Sequence, residues 1–398
     1  MSQEPDSMRG GAGFQPDRWT LFVVLSFGLI ACDAWLLLQA ARQGLWLVDL
    51  NGAPAPLDFS AFWAAGRLAV EGKAALAYDW GALRAIVEAA SGRSFAAAHY
   101  PIFYPPVFFF FVAPLGWFSY FDAAVIWVGT TLAAYLLAAC AILPKRVVLP
   151  IALAAPAVLW CVCVGQNGLL SAALIGGGLA LLERRPLLAG VLFGALVFKP
   201  QFGVLIPFVL IVSGNWRAFA SAAATVVLLF LAAGLCFGVD VYAAFIAAVT
   251  TANDKLLNVG ALPWFKVQSF YGLGRSLGFG APVAWMLHGI VGVVAALATL
   301  AIWRGRTPYE LKAAALATAT LVLSPYSCVY DLPIAVMAIL FLLKDDGRLA
   351  LTKMELAALG FAFLLPLFFP SLRFPVGPFT YAALAGVIGW RAQRIGKW

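Results

Sequence analysis

Residues 218–238 read AFASAAATVVLLFLAAGLCFG, a run without a single charge that follows Trp216-Arg217. A helix of about 20 apolar residues covers the ~30 Å hydrocarbon layer of a bilayer. The same reading applies to residues 19–41, 121–143 and 279–303, and, with Lys353 and Glu355 near its start, to 350–369. Windows of this kind decide the fold class. The chain is an all-α polytopic membrane protein, because only helices and closed barrels satisfy their backbone groups inside lipid. A barrel would show short alternating segments, and none is visible.

Composition agrees with that reading. The 398 residues are 63% hydrophobic and only 11% charged, where a soluble domain carries about 25% charged residues. Many of the 31 Phe and 14 Trp stand near the ends of apolar runs, as in an aromatic belt. The net charge of +8 comes from basic residues scattered at span ends. That pattern follows the positive-inside rule and argues against a nucleic-acid partner. Cys161 and Cys163 have no nearby His or acid in a metal-ligand pattern, and read as small apolar residues. Gly176-Gly177-Gly178 lacks a following Lys-Ser/Thr and reads as packing, not as a phosphate cradle.

Other apolar runs are shorter or interrupted. Residues 147–164 and 168–182 flank Gly165-Gln166-Asn167, and 187–213 is broken by Lys199-Pro200-Gln201. Segments 311–323, the run after Asp331, and 377–390 complete the set, for about ten to thirteen membrane segments. The expected organisation is a polar, disordered cytoplasmic tail over 1–18, one integral membrane domain over 19–390, and a basic cytoplasmic tail over 391–398. Residues 42–104 form a first outer loop with two interfacial helices and a Gly72 turn, and 239–277 form a second. With 184–185, 217, 304–306, 344–348 and 391–397 inside, the other connections face outward in a multi-pass inner (cytoplasmic) membrane protein. Two full spans between 101 and 143 would put Lys145-Arg146 on the wrong side, so either one segment there is broken or the rule fails locally.

The residues that interrupt the apolar pattern gather on that outer side. They are Asp58, Arg67, Tyr78, Tyr104, Gln166, Asn167, Lys199, Gln201, Tyr326 and Asp331. Asp58 is the first acid after the first span, and either caps a helix or does chemistry. Lys199 is either a snorkelling lysine or a cation for a lipid phosphate. Gln166 and Asn167 offer neutral donors and acceptors suited to a sugar, or form a polar turn. Tyr104 and Tyr326 serve equally well as interface anchors. Asp33 lies within the first span and is either structural, paired with a basic neighbour, or close to a lipid-phosphate path, with the structural reading first. Broken helices also suit a lipid or sugar transporter or flippase, which stands as the alternative reading.

Taken in order, a set of motifs resembles a known family. They are Asp58-Phe59-Ser60-Ala61-Phe62-Trp63-Ala64-Ala65-Gly66-Arg67, Gly72 with Tyr78-Asp79, Tyr104-Pro105-Pro106, Pro114-Leu115, Gly165-Gln166-Asn167, Lys199-Pro200-Gln201, Ser324-Pro325-Tyr326 and Tyr330-Asp331. The set resembles the polyprenol-phosphate-mannose-dependent alpha-1,2-mannosyltransferases, glycosyltransferase family 87, over residues 55–335. The resemblance implies a GT-C fold and inverting transfer of mannose from a polyprenyl-phosphate donor to a glycan or glycolipid hydroxyl. It places this reaction at the periplasmic or exterior face, among membrane lipids, and calls for no obligate protein partner.

The same resemblance implies that Asp58 is the general base and that Lys199 holds the departing phosphate. It gives Gln166, Asn167 and Asp331 the task of orienting sugar hydroxyls or a loop. A phosphate leaves as a stable anion, so one carboxylate and a cation suffice. No cofactor is required, and a divalent ion held by Asp58 and Asp331 remains an open alternative. His99, in the first outer loop, is within reach of the site, whereas His288 lies in a span. Tyr330 stands where some relatives are expected to carry another polar partner.

Overall fold

A computed structural model describes residues 18–44, 46–48, 54–55, 57–94, 102–253, 263–344 and 350–394. Among these the fold is all helical, with only isolated bridges at Val48–Pro54 and Val267–Cys328. Five helices are long and apolar enough to cross a membrane: Phe22–Arg42, Tyr120–Ile142, Trp216–Phe237, Ala281–Arg304 and Lys353–Leu372. Six further apolar segments are 10–17 residues long.

The long and short helices occupy different places. Trp216–Phe237 buries only Ala218 and Ala233 and leaves Leu228, Leu231 and Leu235 outward. Its apolar surface faces away from protein, as lipid contact requires. By contrast, every residue of Pro333–Leu343 is buried. That helix packs on Tyr309–Leu323, Gly168–Leu181 and Tyr120–Ile142 at the centre of the main core. A helix apolar all round is a buried helix.

Proline sets the breaks. Pro156, Pro186, Pro200 and Pro333 each start a helical piece, where a missing N–H costs nothing. Residues 187–213 therefore divide into Pro186–Ala195, Leu196–Phe198, Pro200–Gly203 and Ile206–Val212. Lys199 sits at the break with φ −126° and ψ 71°, outside the helical region that a following proline disfavours. Residues 147–164 divide in the same way before Pro156.

The stretch before Lys145 holds one broken segment and one long helix. Pro106–Trp117 is a 3-10 turn, one short α-helical stretch and a second 3-10 turn, too short to cross at ~1.5 Å per residue. It packs on Asp58–Val70, and Tyr120–Ile142 is the one helix described in that region that is long and apolar enough to cross.

Several expectations need adjustment. Asp58–Val70 is not a surface helix, because ten of its residues are buried in protein. Trp80–Ser91 is the more amphipathic helix, with Leu83 and Val87 buried and Asp79 accepting from Ala82 N at 2.8 Å. The final helix runs to Arg394, past the expected end at 390, and Arg391 pairs with buried Glu355 at 3.5 Å. Asp33 is 8% exposed, its Oδ1 has no hydrogen-bond partner, and no basic residue pairs with it among the described residues. The six cysteines are all free.

Candidate active site

Asp58 opens its helix but does not cap it. The cap position is Leu57, which makes no side-chain cap bond. The Asp58 carboxylate turns instead to another part of the chain: its Oδ2 accepts from Gln166 Nε2 at 3.1 Å. That contact spans 108 positions of sequence and depends on a close backbone approach. Gly165 ends the Pro156–Val164 helix at φ +65°, and a Cβ there would stand 2.6 Å from Phe59 Cβ. Only glycine supplies both the left-handed turn and the space. Trp127 Nε1 donates to Gly165 O at 2.8 Å and Cys161 Sγ to Gln166 O at 3.0 Å, which fixes the turn.

The amide of Gln166 is oriented by its other atom. Oε1 accepts from the Tyr104 hydroxyl at 3.2 Å and from Asn167 N at 2.9 Å. Two donors on the oxygen leave Nε2 to face the carboxylate. Tyr104 is held in turn, since its carbonyl accepts from the Tyr78 hydroxyl at 2.8 Å. Its ring packs on Phe108 at 4.5 Å and Phe62 at 5.7 Å. Asn167 is fully buried, and neither side-chain polar atom has a hydrogen-bond partner.

Beside this network lies a closed ion pair. Lys199 Nζ meets Asp331 Oδ1 at 2.6 Å, with side chains 4% and 2% exposed. The other carboxylate oxygen, Oδ2, accepts from Cys328 N at 2.9 Å. Three rings surround the ammonium: Phe202 at 5.3 Å, Tyr330 at 5.7 Å and Tyr104 at 5.9 Å. The loop carrying Asp331 is seated on the start of the Gly168–Leu181 helix, where a Cβ at Gly168 would fall 1.7 Å from Tyr330 O.

These groups set the electrostatics at Asp58. Burial raises its pKa above the ordinary carboxylate value. The Gln166 hydrogen bond opposes the rise, as do the charges of Lys266 and then Lys199. A carboxylate made more basic in this way, on a residue that is itself only partly buried, suits proton abstraction. Asp331 is different, because both its oxygens are engaged. No group of three His, Cys, Asp or Glu side chains suited to a metal is gathered among the described residues.

The structure thus brings together Asp58, Tyr78, Tyr104, Gln166, Asn167, Lys199 and Asp331. Arg67 does not join them; it donates to Gly116 O at 3.3 Å and lies 3.9 Å from Glu71. Gln201 makes no hydrogen bond to the cluster among the described residues, and Tyr326 is 40% exposed on the loop before the ion pair. His99 lies outside the described residues. Sequence reasoning passed over Lys266, whose charge opposes the rise in the Asp58 pKa, and singled out Tyr330 without the place of its ring over Lys199. The available signal for Lys266 was a cation after Pro263-Trp264-Phe265 in a loop expected to face outward.

Comparison with known proteins gives one family. The model of glycosyltransferase family 87 matches residues 102–325, a range that contains Tyr104, Gln166, Asn167, Lys199 and Lys266 and stops short of Asp58 and Asp331. Neither the curated proteins nor the solved structures gave a match. With more than half of its length matched, the chain belongs to glycosyltransferase family 87.

Proposed function

We propose that this chain is an inverting glycosyltransferase of GT-C architecture. It transfers a sugar, with mannose as the first candidate, from polyprenyl phosphate to a glycan or glycolipid hydroxyl on the extracytoplasmic side of the inner membrane. Family membership supports sugar transfer from a lipid-linked donor. The observation that carries the assignment of roles is the Asp58 carboxylate, raised in basicity and aimed by the Gln166 amide.

The chemistry follows from those groups. The acceptor oxygen attacks the anomeric carbon on the face opposite the phosphate. Its proton passes to Asp58 as the new C–O bond forms. The bond from the anomeric carbon to the phosphate oxygen breaks, and polyprenyl phosphate leaves with the electron pair. The leaving group needs no proton, so a second carboxylic acid is unnecessary. Gln166 holds the base in its acceptor orientation, and Tyr104 and Tyr78 hold Gln166. Lys199 and Asp331 cancel each other's charge in the wall beside it.

Purified protein is supplied with a panel of polyprenyl-phosphate sugars and candidate acceptors, and products are read by mass spectrometry. The expected result is an acceptor heavier by one hexose, with inversion at the anomeric carbon. Movement of a lipid or sugar across proteoliposomes with no product under any donor would replace this reading with the transporter.

A further inference from the structure

We propose that Lys266, not Lys199, is the cation that receives the donor phosphate. This inference rests on the transferase reading above and names the phosphate subsite of the same reaction. It starts from the commitment of Lys199. Its Nζ is buried and 2.6 Å from Asp331, whose remaining oxygen is held by Cys328 N. Drawing Lys199 towards a phosphate would leave a buried carboxylate without its counter-ion, an outcome proteins avoid.

Charge counting makes the same point. A sugar phosphodiester enters with one negative charge, and the monoester that leaves carries close to two at neutral pH. Asp58 must be ionised to accept a proton. Lys199 and Asp331 sum to zero, so the negative charge of base and leaving group is unmatched by that pair. A preorganised cation where charge develops stabilises the transition state.

Lys266 meets the requirement by position. It is exposed, and no described carboxylate pairs with it. Its backbone is nevertheless fixed. Lys266 N donates to Pro263 O at 2.9 Å, Val267 bridges Cys328, and Gln268 N donates to Ser327 O at 2.7 Å. Ser269 Oγ donates to Pro325 O at 2.8 Å. Gln268 is a positioning residue: its Oε1 accepts from Val376 N and Gly377 N, both at 2.7 Å, and its Nε2 donates to Phe265 O at 2.7 Å. Three outer connections are thereby tied together beside the turn that holds Asp331. The exposed Lys266 side chain, without a carboxylate partner among the described residues, stands on a fixed platform, and its charge opposes the rise in the Asp58 pKa.

The test measures equilibrium binding of a short-chain polyprenyl phosphate and of the matching uncharged polyprenol to detergent-purified protein. Wild type is compared with Lys266→Met and Lys266→Arg. The Met variant is expected to lose at least about tenfold in affinity for the phosphate, to lose much of the salt dependence, and to bind polyprenol unchanged. The Arg variant keeps most of the affinity. In transfer assays the acid limb of the Met variant's pH profile moves to higher pH, because a cation that favours ionised Asp58 is gone. A purely structural lysine would leave that limb in place. Lys266→Met binding polyprenyl phosphate as tightly as wild type, at the same thermal stability, overturns the inference while leaving the transferase reading intact. Failure of wild type to bind polyprenyl phosphate at all overturns both.

Discussion

Breaking the Lys199–Asp331 pair should be far more damaging than removing it. In Lys199→Met the Asp331 carboxylate, 2% exposed, loses the ammonium 2.6 Å away and keeps only the Cys328 N–H. In Asp331→Asn the ammonium is left among the rings of Phe202, Tyr330 and Tyr104 with no counter-ion. Removing one partner of a buried pair costs about 3–5 kcal/mol. That is more than a hundredfold in the unfolding equilibrium, since each ~1.4 kcal/mol is tenfold. The double variant Lys199→Met/Asp331→Leu leaves no buried charge. Its principal loss is the hydrogen bond from Cys328 N, about 1 kcal/mol, with a similar amount for imperfect packing. The two single losses should therefore exceed the double loss by about 3 kcal/mol or more. Reversible unfolding in mixed detergent micelles, followed by circular dichroism, gives all three values. Single variants that each cost under ~1 kcal/mol and add in the double would refute the closed pair.

Two further outcomes follow from the network at Asp58. The base works ionised, so wild-type transfer rises as pH passes through its elevated pKa; Gln166→Leu removes a bond that lowers that pKa and should shift the rise to higher pH. A pH–rate profile that does not move would contradict the role given to the amide. Gly168→Ala puts a methyl group 1.7 Å from Tyr330 O, so the Asp331 loop must shift. It should lose about 1–3 kcal/mol of stability together with most transfer, and an unaltered melting curve would show that the loop is not seated there.

Much of this was legible because prolines and glycines mark backbone events whatever the solvent. The breaks at Pro156 and Lys199-Pro200, and the turn at Gly165, follow from proline's missing N–H and glycine's freedom at positive φ. What could not be read is which apolar helices are central. Pro333–Leu343 and Trp216–Phe237 are both strongly apolar, yet one is wholly buried and the other faces outward. Lipid and protein interior are equally apolar, so hydropathy does not separate them. The convergence of Asp58 with Gln166 was anticipated from the side of the membrane each was assigned to. The pairing of Lys199 with Asp331, 132 residues apart, left no local trace, so Lys199 read as available for phosphate. The contacts of Arg67 were equally hidden: its guanidinium turns to Glu71 and the Gly116 carbonyl. Lys266 was overlooked because its placement depends on the Val267–Cys328 bridge and the Gln268 clamp, long-range backbone contacts with no periodic signature.

The most direct measurement of the central claim is sugar transfer by purified Asp58→Asn, with product quantified by mass spectrometry. The isosteric amide keeps the shape of the side chain and removes the base. The expected result is a rate lower by about 10²–10⁴-fold or more, with wild-type thermal stability and with binding of polyprenyl phosphate no weaker than in wild type. Transfer at or near the wild-type rate would contradict the account, because a carboxamide in that position cannot accept the acceptor's proton.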